Sequence, residues 1–225
     1  MKRAGMRTGM KTEMKISNRT ENALGKYCEA YPEIGQAAAF LPLLAQIDFM
    51  LQKGQVNLAV EGGSASGKTT LGKMLDQIYD CTVFHMDDFF LRPEQRTPER
   101  FAEPGGNVDR ERFLEEVLLP LSRKEPVTYR RFDCSTFTLG KPVTVMPSGL
   151  NVIEGAYSMH PELAGYYDFS VFLDITPSLQ RKRIEKRNPD GKAQRFFDEW
   201  IPMERLYFRE KKVKERCDMV IAVEA

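Results

Sequence analysis

Five short apolar runs punctuate the chain: Val56-Asn57-Leu58-Ala59-Val60, Thr82-Val83-Phe84-His85-Met86, Gly149-Leu150-Asn151-Val152-Ile153, residues 168–175 and residues 218–223. Their length and near-continuous apolar character suit strands buried on both faces. Between them the spacing becomes helical. Leu71, Met74, Leu75 and Ile78 follow the first run at i, i+3, i+4, i+7 spacing, and Phe113, Leu114, Val117, Leu118 and Leu121 follow Asp109, a good N-cap residue. Residues 176–216 are helical and strongly charged. Strands alternating with helices predict an α/β fold with a five-stranded parallel sheet between helical layers. Two segments stand apart from that alternation. Residues 126–147 alternate weakly and predict a small β-hairpin turning near Leu139-Gly140-Lys141-Pro142. Residues 21–54 carry a broad apolar stripe from Ala37 to Leu51 and predict an N-terminal helical extension, interrupted near Pro42 and stopped at Lys53-Gly54.

Composition narrows the class. The 225 residues are 42% hydrophobic, enough for a core, and the net charge of +1 gives no basic field for nucleic acid. No apolar run approaches the ~18 residues that a membrane span needs. Cys28, Cys81, Cys134 and Cys217 are scattered, with no metal-ligand spacing. Unpaired thiols suit a reducing cytosol, so a cytoplasmic protein is expected. Residues 1–20 hold six basic residues against Glu13 and read as a disordered basic tail.

The strongest chemical signal is Gly62-Gly63-Ser64-Ala65-Ser66-Gly67-Lys68-Thr69, which matches G-x-x-x-x-G-K-[ST] at every fixed position. It sits between a predicted strand and a predicted helix, as a phosphate loop must. Backbone N–H groups would converge on one anion, and the helix N-terminus adds partial positive charge. Lys68 would reach the β- and γ-phosphates, Thr69 would offer its hydroxyl to Mg²⁺, and Thr70 opens the helix behind them.

Three further groups are placed where ligands bind, at the carboxyl ends of strands or beside them. Asp87-Asp88-Phe89-Phe90 ends the second strand, and Glu154-Gly155 ends the third. A carboxylate at the end of a buried strand is costly unless it is paired or holds a metal. Arg183 and Arg187 share one helix face just before the break at Asn188-Pro189-Asp190-Gly191, which predicts a cationic helical lid over about residues 183–197. Residues 91–108, rich in Pro, Gly and Arg, form a long polar loop leading from the acidic strand end. His85 reads only as a strand residue.

Together these pieces resemble the uridine kinase-like branch of P-loop kinases, which includes ribosylnicotinamide, pantothenate and phosphoribulokinases. The resemblance covers about residues 55–224. It rests on Gly62–Thr69, Asp87–Phe90, Asn107-Val108-Asp109, Arg131-Phe132-Asp133, Ile153-Glu154-Gly155 and the Arg183/Arg187 lid. It implies a three-layer P-loop NTPase fold, with ATP and Mg²⁺ as cofactors. It also implies that Asp87 takes the proton of the substrate hydroxyl and that Glu154 helps Thr69 to hold Mg²⁺, with Asp87 sharing that task. Asp109 would hold ribose hydroxyls, Arg131, Phe132 and Asp133 would line the far end of the acceptor, and Arg183 and Arg187 would stabilise the moving phosphoryl group.

The expected activity is ATP-dependent phosphorylation of a small-molecule hydroxyl, with uridine or cytidine as the first acceptors to consider. Pantothenate, ribosylnicotinamide or a sugar phosphate are alternative acceptors, and a regulatory P-loop ATPase is the rival from another class. Neither nucleic acid nor membrane is an expected partner, and homo-oligomerisation stays open.

Overall fold

The computed structural model describes residues 15–30, 37–189 and 191–224. Most of the predicted tail and the lid-tip residue Asp190 lie outside them. The chain opens with α1 (Asn18–Ala30), a 3₁₀ turn (Ala37–Phe40) and α2 (Leu41–Leu51). Then come β1 (Val56–Gly62), α3 (Lys68–Tyr79), β2 (Thr82–His85), a 3₁₀ turn (Met86–Phe89) and α4 (Pro98–Ala102). α5 (Arg110–Phe113) runs through a π-helical turn (Leu114–Leu118) into α6 (Leu119–Arg123). The hairpin is β3 (Val127–Asp133) and β4 (Thr138–Val145), followed by β5 (Leu150–Glu154) and β6 (Phe169–Ile175). α7 (Pro177–Arg187) and α8 (Ala193–Arg195) lead through a second π turn (Phe196–Trp200) to α9 (Ile201–Glu210), α10 (Val213–Arg216) and β7 (Met219–Val223).

The five main strands are all parallel, in the order β2-β5-β1-β6-β7. β1, which carries the phosphate loop, is central. Its side chains alternate between two cores. Leu58 and Val60 pack with α1, α2 and α3 on one face. Ala59 faces the other core, built from Phe84, Phe113, Val117 and Tyr207. Burying each such side chain contributes roughly 1.5–3 kcal/mol, which is why the apolar runs settle as central strands.

Both π turns have a local cause. Each precedes a helix with proline in its first turn, Pro120 in α6 and Pro202 in α9. Proline has no N–H for the carbonyl four residues back, so the ladder slips by one.

Two boundaries differ from the sequence reading. Helix α1 starts inside the segment read as tail: Ser17 N and Thr20 Oγ1 both donate to Asp48 at 2.7 Å, and Thr20 is buried. The hairpin turns at Cys134–Phe137, not at Leu139–Pro142. Asp133 builds that turn by accepting hydrogen bonds from Ser135 N at 2.8 Å and Ser135 Oγ at 2.6 Å. Pro142 lies within β4 opposite Arg130, which a two-stranded edge tolerates.

Candidate active site

The phosphate loop follows β1 into α3. Gly67 has φ +100° and forms the N-cap of α3, a left-handed position that suits glycine. Lys68 Nζ donates to Gly63 O at 2.9 Å. Ser64 is held from two sides. Its N–H and hydroxyl donate to the Glu204 carboxylate at 2.9 and 2.6 Å, and its carbonyl accepts from Gln180 Nε2 at 2.9 Å. Gln180 lies on α7 and Glu204 on α9, so two helices grip one loop residue.

Beside the loop, Thr69 Oγ1 donates to Glu154 Oε1 at 2.9 Å. His85 Nδ1 lies 2.6 Å from the same oxygen. Burial pushes the Glu154 carboxyl up, but the His85 hydrogen bond and Lys68 outweigh it and hold it below the usual carboxylate range. Glu154 in turn raises the His85 pKa. His85 is therefore a partner of the strand-end acid and not a plain strand residue. Gly155 follows at φ +144°, where a Cβ would lie 2.5 Å from Met86 Cβ. Only glycine lets the ends of β5 and β2 approach so closely.

Asp87 stands in the 3₁₀ turn after β2. Its side chain opens into a cleft yet is crowded by protein on the other sides. That enclosure raises its pKa, opposed by Lys68. Lys68 also opposes the desolvation of Glu61, Glu154 and Glu204, so one ammonium serves four carboxylates. Thr69, Glu154 and Asp87 present oxygen donors only, the set that Mg²⁺ prefers, so these residues fit the ion.

Glu61 is a carboxylate that the sequence reading passed over. It is completely buried at the end of β1. Gly62 N, Tyr157 N, Met159 N, Tyr207 Oη and Ser158 Oγ donate to it at 3.0–3.5 Å. It thereby supports the turn in which Tyr157 takes φ +78°, a strained value for a bulky residue. Burial outweighs the donors and lifts its pKa from 4.5 to about 7. Between those values the unfolded chain loses the proton while the folded chain keeps it. Stability from this group is fully present below pH 4.5 and falls on the order of 3 kcal/mol by about pH 7. Urea midpoints from pH 5 to 8 should therefore fall less in Glu61→Gln than in the wild type. Parallel pH curves would contradict this assignment.

A cleft of about 1150 Å³ joins these groups. The loop from Ser64 to Thr70, Asp87, Glu154 and the arginines Arg183, Arg187 and Arg195 all line it. Arg183 reaches Ala65 O at 3.4 Å and Glu224 O at 3.1 Å. The cleft wall beyond Asp87 includes Phe90, Arg96, Phe101, Asn107, Cys134, Phe137, Tyr157 and Trp200. Phe101 and Phe137 are among the exposed large apolar side chains, and Arg96 lies over the Phe137 ring at 4.8 Å.

Four expected acceptor residues do not line this cleft. Asp109 is buried as the N-cap of α5, accepting from Arg112 N at 3.2 Å, and lies near Arg92 and Arg112. Asp133 is spent on the hairpin turn. Arg131 pairs with Asp88 at 3.4 Å, and Phe132 packs edge-on against Phe137. Asn107, Arg96, Cys134 and Phe137 occupy the wall instead. Asn107 belongs to the same short motif as Asp109, and Cys134 directly follows Asp133, so the cleft wall is lined by sequence neighbours of those residues.

No protein-family model matches the chain. It is 28% identical over 163 residues to the bifunctional alpha-galactosidase/sucrose kinase AgaSK of Mediterraneibacter gnavus. That match takes in 63% of this chain but spans only 17% of the relative's length. Among solved structures, a possible uridine kinase from Bacillus stearothermophilus is 25% identical with a TM-score of 0.59, covering 80% of this chain and 99% of that one. A proposed fructose transport system kinase from Silicibacter sp. TM1040 shares the fold at 22% identity and a TM-score of 0.62, covering 78% of this chain and 95% of that one. The chain thus has the α/β fold of the P-loop kinases and resembles their uridine kinase-like branch. Among the described residues no helix is long and apolar enough to cross a membrane.

Proposed function

We propose that this protein transfers the terminal phosphoryl group of ATP to a hydroxyl of a small, ring-bearing molecule. The observation that carries the reading is one cleft lined at once by the phosphate loop, Asp87, Glu154 and the lid arginines. The loop and Lys68 hold the phosphates. Asp87 orients the acceptor hydroxyl and takes its proton. Thr69 and Glu154, with Asp87, would hold Mg²⁺, which supplies charge neutralisation between the phosphates. Arg183 and Arg187 face the nucleotide from the lid and exclude water. Phosphoryl transfer depends mainly on positioning and electrostatics, which this set of groups can supply.

Two acceptor classes follow from the wall beyond Asp87. A nucleoside agrees with the branch resemblance and with the similarity to a possible uridine kinase. A saccharide is favoured by a specific observation: Asp109 and Asp133, the acids that nucleoside recognition would use, are committed to backbone caps. Aromatic rings interleaved with Asn107, Arg96 and Arg195 suit the apolar faces and hydroxyl edges of a sugar. A panel of uridine, cytidine, sucrose, fructose and pantothenate with MgATP, read by ADP release and product mass, separates these readings. One neutral ring alcohol should raise ADP release at least about tenfold over water. ATP hydrolysis indifferent to every small acceptor but stimulated by a protein would overturn the kinase reading and favour a regulatory ATPase.

A further inference from the structure

Two aromatic side chains from outside the kinase unit line the same cleft: Tyr27 of α1 and Phe40 at the end of the first 3₁₀ turn. Helix α1 lies along α3, and the turn bearing Phe40 packs against β7. Their companions in the lining are Thr70, Leu71, Met74 and Val223. Sheet order gives this group a side. Asp87 follows β2 and Glu154 ends β5, on one flank of central β1, whereas Val223 closes β7 at the opposite edge. The phosphate loop lies between. A triphosphate cradled there has its reacting end toward Asp87, so its base must extend toward β7 and α3. Apart from the Thr70 hydroxyl, the lining there is apolar or aromatic and belongs to the packed core, with Tyr27 and Phe40 buried at 5% and 9% exposure where they border the cleft. The Arg183 guanidinium, bonded to Glu224 O at 3.1 Å, stands beside them. A planar base needs such surroundings: apolar faces to stack against and one nearby cation.

We propose that the N-terminal extension supplies an aromatic wall of the nucleotide-base pocket, through Tyr27 and Phe40. The inference rests on the nucleotide reading above and gives the extension a binding role in addition to its packing on the core. Its ligand is the base of a nucleoside triphosphate, not the phosphates.

Calorimetric affinities for Mg-ATP and for Mg-tripolyphosphate, which lacks base and ribose, test it on the full chain. Phe40→Leu and Tyr27→Leu keep an apolar side chain but remove the ring. ATP should bind about fivefold to 150-fold more weakly to each variant, the range of a lost base–aromatic contact. Tripolyphosphate should bind within about twofold of wild type, which also reports that the phosphate loop is folded. Equal weakening of both ligands would mean that the rings only pack the core and would overturn the proposal, as would unchanged ATP affinity. Wild-type protein binding neither ligand would instead defeat the nucleotide reading itself.

Discussion

Lys68→Ala is expected to lower kcat by about 10²–10³-fold, and more if the acceptor step alone is followed. In the proposed reaction the side chain supplies an ammonium to the phosphates, and four carboxylates lie within its field: Glu61, Asp87, Glu154 and Glu204. Removing it takes away a transition-state cation and leaves those acids without their common counter-charge. Their pKa values should all rise, so some thermal stability is lost as well. Lys68→Met separates the two effects, because it retains the apolar stem. Its kcat should stay near that of the alanine variant while it unfolds later on heating. Wild-type turnover in a folded Lys68→Met protein would contradict the role assigned to the loop.

Asp87→Asn is expected to reduce kcat by about 10²–10⁴-fold with little change in nucleotide affinity. The amide keeps the size and the ability to orient a hydroxyl, but it cannot take a proton. Among the described residues the Asp87 side chain makes no hydrogen bond that would complicate the result, and it faces the cleft that also holds the phosphate loop. The contrast with Lys68 is diagnostic: the lysine change weakens phosphate binding and transfer together, whereas the aspartate change leaves ATP bound and idle. Steady-state kinetics alongside calorimetric ATP binding provide both readouts. Full activity in the purified Asp87→Asn protein would remove Asp87 from the chemistry.

What could be read from the sequence, and what could not, follows physical lines. The parallel strands were legible because the central ones, β1 and β5, bury both faces and so show near-continuous apolar runs. The phosphate loop was legible because its chemistry fixes residue types at fixed local spacing. Pairings between distant segments were not. His85 and Glu154 are 69 positions apart, and only the β2–β5 register brings them together. Glu204 sits on the apolar face of α9, three residues from Ile201 and three from Tyr207, both buried. An acid at a core-facing helical position was the available signal. Glu61 offered a similar one, as a carboxylate at the end of an otherwise apolar strand. The hairpin turn was misplaced because Gly140 and Pro142 are strong turn residues, yet the Asp133 side chain closes a turn that starts at Cys134, five residues before Leu139. The N-cap role of Asp109 was readable from the helix pattern, and its Oδ1 accepts from Arg112 N in that role.

The central claim is that Asp87 faces an acceptor hydroxyl across from the terminal phosphate of a nucleotide on the loop. A crystal structure with a non-hydrolysable ATP analogue and the acceptor that passes the panel measures this directly. The acceptor hydroxyl should lie about 2.6–3.2 Å from an Asp87 carboxylate oxygen, in line with the terminal phosphate. An acceptor bound with its reactive hydroxyl against another group, and Asp87 turned away from the phosphates, would contradict the account.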